Sequence, residues 1–276
     1  MKLSGAGSAR AVILFVMLPA ALCPAARDGK ISADELVSKH LQSIGKASGP
    51  ANGPRLLQGK VVFSEIIGRN VHLEGASSVL SQGKKFKCAF QFGAQQYPGE
   101  QLVFDGQKSM VGMIDPTSRS NLGTFLYLQE DILREGLFGG TLSTAWPLLD
   151  VAQTGAKLKY NGIRKSEGRE LHDLIYVPKK RGGNGELTIH LYFESETYRH
   201  VRTVYTVTIH NSAGSAQEGT DEIKQTLEEG FDDFRETDGL TLPFHWTVRY
   251  RVTPQSKTQE FQWESKFQSF QVLASN

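Results

Sequence analysis

Phe244-His245-Trp246-Thr247-Val248-Arg249-Tyr250-Arg251-Val252 alternates large apolar residues with polar ones without a break. A period of two places Phe244, Trp246, Val248, Tyr250 and Val252 on one side of an extended chain. His245, Thr247, Arg249 and Arg251 fall on the other. That is an antiparallel strand with one dry face and one wet face. The same phase returns in Phe86, Cys88, Phe90 and Phe92 against Lys85, Lys87 and Gln91. It returns again in Leu187, Ile189, Leu191 and Phe193 against Thr188, His190 and Tyr192, and in Phe261 and Trp263 against Glu260, Gln262 and Glu264.

Weaker alternation marks 57–67, 71–81, 100–105, 108–114, 157–165, 169–177, 200–210 and 221–233. Together these runs predict about a dozen strands. Asp105-Gly106, Asn161-Gly162, Glu167-Gly168 and Asp238-Gly239 supply the dipeptides that hairpin turns favour. The expected fold class is therefore mainly β (α+β), a single strongly curved antiparallel sheet or incomplete barrel of about 11–12 strands.

Two segments depart from this period. Near residue 32 the spacing predicts a helix: Ser32 and Glu35 fit a capping box, Leu36, Val37, His40, Leu41 and Ile44 share a face, and Gly45 ends it. Residues 118–149 predict two more helices, Asn121–Leu137 and Ser143–Leu149, separated by Gly136, Gly139 and Gly140. Glycines flanking an apolar helix permit either a hinge or a static connection. A sheet with one apolar face must be covered, and these helices suit an internal plug or lid.

The N-terminus carries a different message. Lys2 and Arg10 precede the apolar run Ala11–Leu18, Pro19 breaks it, and small residues follow up to Ala26. That order is a secretory signal peptide, with cleavage expected after Ala26 or nearby. Residues 27–276 then form a single domain. Cys23 raises lipidation as an alternative, disfavoured by the bulky Leu22 before it. Removing residues 1–26 takes away two bases and no acid, leaving 29 basic and 29 acidic residues. A neutral chain gives no reason to expect nucleic acid as a partner. Lys179-Lys180-Arg181-Gly182-Gly183, the compact basic cluster, reads as a solvated hairpin loop or, alternatively, a dock for an anionic membrane surface. Only Cys88 remains after cleavage, so no internal disulfide and no cysteine metal site are expected.

The rings on the dry phase, Phe86, Phe90, Phe92, Phe104, Phe244, Trp246, Tyr250, Phe261 and Trp263, together with Phe125, Leu133 and Trp146 of the helical segment, form the candidate ligand-binding set. An apolar concave surface of this kind suits an acyl chain, although the same rings could simply pack on the helices as core. Chemistry-bearing motifs are missing: there is no nucleophile elbow, P-loop or dinucleotide fingerprint. His172, His190, His200, His210 and His245 lie at or near strands and read as outward-facing; His190 and His210 could meet across strands, but no third metal ligand is spaced for them. Glu194, Glu196, Asp232 and Asp233 fall at strand ends, where acids are readily solvated. Neither an enzyme, a cofactor nor a metal is expected.

Two segments carry a resemblance. Leu191-Tyr192-Phe193-Glu194-Ser195-Glu196-Thr197-Tyr198-Arg199-His200-Val201 and Phe231-Asp232-Asp233-Phe234-Arg235-Glu236-Thr237-Asp238-Gly239-Leu240-Thr241-Leu242-Pro243 resemble hairpins of the periplasmic lipoprotein carriers and receptors, the LolA/LolB group. The order of helix, hairpins, paired helices and further strands resembles that group as well. The chain is longer than a typical carrier of the group, and the carrier's functional arginine and the receptor's protruding apolar loop have no counterpart by motif. The resemblance implies a half-barrel in the periplasm that holds lipid or the acyl chains of a lipoprotein, with inner- or outer-membrane donor and acceptor proteins as partners. A different class stays open beside it: an envelope scaffold with a solid core and no ligand.

Overall fold

The computed structural model describes residues 31–45, 53–67, 71–114, 118–179, 185–211, 221–253 and 258–273. The leader segment, Cys23 and most of the basic cluster at 179–183 lie outside the described residues. Among those described, no helix is long and apolar enough to cross a membrane.

Among the described residues, twelve antiparallel strands make one open sheet. Its first half is a meander of β1 (Arg55–Ile67), β2 (His72–Gln82), β3 (Lys85–Ala94), β4 (Tyr97–Phe104) and β5 (Ser109–Met113). The second half is another, β6 (Lys157–Ser166), β7 (Arg169–Val177), β8 (Glu186–Glu194), β9 (His200–Asn211), β10 (Asp221–Thr237), β11 (Leu240–Thr253) and β12 (Gln259–Val272). The halves join where β1 pairs with β12, with Phe63 opposite Trp263. This leaves β5 and β6 as the two edges.

The predicted alternation sets the two faces. Phe86, Cys88, Phe90 and Phe92 are buried along β3, and Leu242, Phe244, Trp246, Val248 and Tyr250 along β11. Glu167-Gly168 and Asp238-Gly239 turn with positive φ at both residues, as a two-residue hairpin of matching twist requires. Asn161-Gly162 does not turn. It lies inside β6, where the register against β7 shifts between Tyr160 and Ile163, so this pair makes a bulge.

Between the two edges the chain crosses the concave face. It leaves β5, forms α2 (Asn121–Leu128) and α3 (Asp131–Arg134), passes through 3-10 turns at Gly140–Leu142 and Pro147–Asp150, and re-enters at β6 after α4 (Val151–Thr154). The expected helix over 121–137 is thus two helices: Gln129 leaves helical geometry at φ −114°, ψ 51°, and Glu130 restarts it. The expected helix over 143–149 does not form: residues 143–145 bend and turn, and only from Pro147 does a short 3-10 helix begin, with the proline at its first position. Leu122, Phe125, Leu126, Ile132, Leu133, Leu137, Phe138, Leu142, Trp146 and Leu148 of this plug are all buried.

α1 (Ala33–Ser43) carries half of the expected capping box: Ser32 accepts from the Glu35 amide (3.1 Å), but the Glu35 carboxylate pairs with Lys39 one turn on (3.1 Å). At its end Gly45 has φ +86°, and a Cβ there would lie 2.3 Å from the Gly239 carbonyl oxygen. Only glycine lets the helix end meet the β10–β11 turn so closely.

Candidate functional site

The inner face and the plug together define the candidate site. The plug fills the centre of the face. Phe138 packs edge-on to Trp246 (5.3 Å between ring centroids) and Phe86 (6.1 Å), and Phe125 packs on Tyr250 (5.3 Å). Trp146 stacks on His200 (4.6 Å) and donates its indole N–H to His40 Nε2 (3.1 Å). That bond fixes the His40 tautomer: Nδ1 carries the proton and faces the Tyr198 carbonyl oxygen (3.1 Å). Burial drives the His40 pKa down to about 4 and holds His200 well below the usual histidine range.

One end of the face is left unfilled. A pocket of about 310 Å³ lies under the start of α2. Its apolar wall is Phe63, Val71, Leu73, Met113, Leu122, Phe261 and Trp263, and Glu65, Gln96, Arg119, Ser120 and Asn121 add polar groups. Phe63 organises the wall, with Tyr97 at 4.5 Å, Trp263 at 5.3 Å and Phe261 at 6.4 Å between centroids. Arg119 lies over the Tyr127 ring (3.9 Å) and donates Nε–H to the Val111 carbonyl (3.1 Å). The β5 edge is thereby partly covered, since the Met113 amide also bonds the Ser118 carbonyl (3.0 Å).

Two carboxylates are buried against the plug. Glu229 on β10 receives three hydrogen bonds: from the Gly139 amide (2.7 Å) and Trp246 Nε1–H (3.1 Å) at Oε1, and from the Tyr205 hydroxyl (2.8 Å) at Oε2. Glu100 on β4 accepts from the Tyr97 hydroxyl (2.7 Å), which in turn accepts from Trp263 Nε1–H (2.7 Å). Burial pushes both carboxyls up to about 7 against the pull of these donors and, for Glu100, of the Ser120 hydroxyl. Neither forms an ion pair among the described residues.

The sequence-predicted ligand set divides between these regions. Phe86, Phe90, Phe92, Phe104, Phe125, Leu133, Trp146, Phe244, Trp246 and Tyr250 are buried, and none lines the pocket under α2. Phe261 and Trp263 do line it. Phe63, Leu73, Tyr97 and Leu122 complete that wall and were not in the expected set. Glu100 and Glu229 were missed too, although each stands on the dry phase of its strand, with Leu102 and Phe104 or with Leu227 and Phe231. An acid in an apolar phase was the legible signal.

The histidines correct the expectation of outward-facing side chains. His200 is fully buried and His172 nearly so. His190 stands opposite Val204, and the β8–β9 ladder ends at Glu186 opposite Thr208, so the backbone register does not place His190 opposite His210, whose side chain lies outside the described set. His190 Nδ1 instead lies 2.8 Å from the Asp173 carboxylate, which also accepts from Asn161 (2.7 Å). No cluster of three or more metal-ligating side chains occurs among the described residues.

No protein-family model matches the chain, and neither does any curated protein. Solved structures do. The chain is similar to a LolA superfamily protein from Nitrosomonas europaea, with 11% identity over 90% of this chain and 96% of that one and a TM-score of 0.49. It is also similar to an outer membrane lipoprotein-sorting protein domain from Vibrio parahaemolyticus (8% identity, 88% and 92% covered, TM-score 0.47). A third is a DUF1329 family protein from Desulfovibrio piger (10% identity, 90% and 95% covered, TM-score 0.40). These are likenesses of fold, at identities that transfer no function.

Proposed function

We propose that the chain is a non-enzymatic carrier or receptor of the bacterial envelope that shelters an acyl chain of a lipid or lipoprotein beneath α2. The observation that carries this reading is the pocket of about 310 Å³, walled by Phe63, Leu73, Phe261 and Trp263 beside the filled aromatic centre of the face; Phe86 and Phe104 border a separate, more open hollow of about 430 Å³. Keeping a chain of some fifteen carbons from water is worth roughly 12 kcal/mol at about 0.8 kcal/mol per methylene. The pocket's volume sits at the low end of the roughly 300–1,000 Å³ typical of small-molecule sites, so it suits one chain while the plug is seated. Larger cargo would need the plug displaced, which would uncover Phe86, Phe90, Trp246 and Tyr250. The leader sequence supports a periplasmic location, with membrane donor and acceptor proteins as the partners such a role requires.

Lipid mass spectrometry on natively purified protein, and titration with a fluorescent fatty acid, test the reading. Leu73→Arg should weaken probe binding at least about tenfold, since it places a charge on the apolar wall. Equal binding by the variant, or the absence of both lipid and probe binding in the wild type, would reject it.

The solid packing of Phe138, Trp146 and Trp246 favours a second reading, an envelope scaffold whose inner face is core alone. It predicts no lipid, no probe binding and co-purifying protein partners.

A further inference from the structure

Glu229 and Glu100 meet the plug at two separated points, Glu229 through a hydrogen bond and Glu100 by burial beneath α2 with its Oε2 unpartnered. Glu229 Oε1 takes the amide N–H of Gly139, the residue between α3 and the first 3-10 turn, at 2.7 Å. Glu100 Oε2 faces the first turn of α2, where a Cβ on Gly123 would lie 3.6 Å away and the Ser120 hydroxyl helps to stabilise the charge. Both plug contacts are made by parts of the chain that belong to no strand. The remaining donors, Tyr205, Trp246 and Tyr97, belong to the sheet and stay with it.

We propose that the plug is a proton-linked lid: lifting it hydrates Glu100 and Glu229, each of which gives a proton to bulk water, so rising pH favours opening. With the plug seated, the two carboxyls are fully buried and form no ion pair among the described residues, and desolvation favours their neutral form. With the plug lifted, water replaces the Gly139 donor at Glu229 and reaches the unpartnered Oε2 of Glu100, and the carboxyls return toward the ordinary range near 4.3. The seated state therefore binds more protons than the open one between roughly pH 4.5 and 7, and its stability falls as pH rises through that window.

Other groups around the two acids do not supply this slope. Cys88, on the inner face of β3, feels both carboxylates and is held protonated by burial. Tyr97, Tyr176 and Tyr205 are all shifted upward by burial and stay neutral throughout. Glu135 bonds the Tyr176 hydroxyl (3.0 Å), and Glu130, Asp131 and Arg134 pair among themselves on α3. Arg119 is held by Val111 and Tyr127. His40 and His200, packed on Trp146, act in the opposite sense, because opening would let them take up protons as pH falls.

Hydrogen exchange on the amides of Phe125, Leu126, Ile132, Leu133 and Leu142, corrected for intrinsic rates, measures opening in the full chain. Comparing wild type with the Glu100→Gln/Glu229→Gln variant cancels the histidine contribution. The ratio of wild-type to variant opening constants should rise at least about tenfold from pH 6 to pH 8. A flat ratio overturns the proposal. Where the double variant does not fold, carboxyl carbon-13 titration of wild-type protein decides: midpoints for both acids near 4.5 overturn the proposal, and midpoints near 7 support it.

Discussion

Two stretches of the same inner face differ in what lies on them. Beneath Gly139–Leu148 the face is filled, with Phe138, Leu142, Trp146 and Leu148 set among Trp246, His200 and Phe231. Beneath the start of α2 it is walled by Phe63, Phe261 and Trp263 and left open. Strand alternation is the same in both places, so it cannot distinguish core from cavity. The difference lies in the plug, which brings large rings to the centre and places Ser120, Asn121 and Leu122 over the end.

The sharpest way to break this contrast is at Trp146. Trp146→Ala removes a ring that stacks on His200 and bonds His40, leaving a cavity and an unpaired buried nitrogen. It should cost about 3–5 kcal/mol in urea denaturation. A loss below about 1 kcal/mol would mean that the centre is not tightly filled.

The second effect is set by pH. His40 is neutral in the folded chain down to about pH 4, whereas an unfolded histidine takes a proton near 6.5. Its contribution is present above about 6.5 and is lost as pH falls toward 4, because the unfolded chain then binds more protons. In a background where Glu100→Gln and Glu229→Gln remove the opposing carboxyls, stability should fall by at least about 3 kcal/mol from pH 7 to pH 4, the part due to His40, with buried His200 adding in the same direction. Urea midpoints across that range check it, and a flat profile would remove His40 from the filled centre.

The smallest effect is expected at the open end. Phe261→Ala trims a ring that is only partly buried and already borders empty space, so stability should change by about 1 kcal/mol or less. If it costs as much as Trp146→Ala, the two regions are packed alike and the contrast fails.

Much of this was legible. The alternation in 244–252 and 86–92 gave the faces, because a buried phase of Phe and Trp has no other stable home. Asn161-Gly162 reads as a turn in the sequence because the backbone freedom that makes a turn also makes a bulge; Gly162 has φ +95° inside β6. Phe261 and Trp263 line the pocket, whereas Trp246, in the same phase on the neighbouring strand, is covered by Phe138. No local pattern separates them, since the separation comes from a segment more than a hundred residues away. Glu229 was readable as an acid between Leu227 and Phe231, but its Gly139 partner was not.

The seam between β1 and β12 has a consequence for how the chain reaches this state. Every other neighbouring pair in the sheet is consecutive in sequence, so each half can zip up from local hairpins on its own. Arg55 cannot find Val272 until almost the whole polypeptide is available, and the loop closed by that pairing is about four fifths of the chain. Loop-closure entropy therefore predicts that the two ladders join late in folding. Until it happens, β1 and β12 are bare edges with Phe63 and Trp263 unsheltered, which makes this seam the place where newly made chains are most exposed to mispairing.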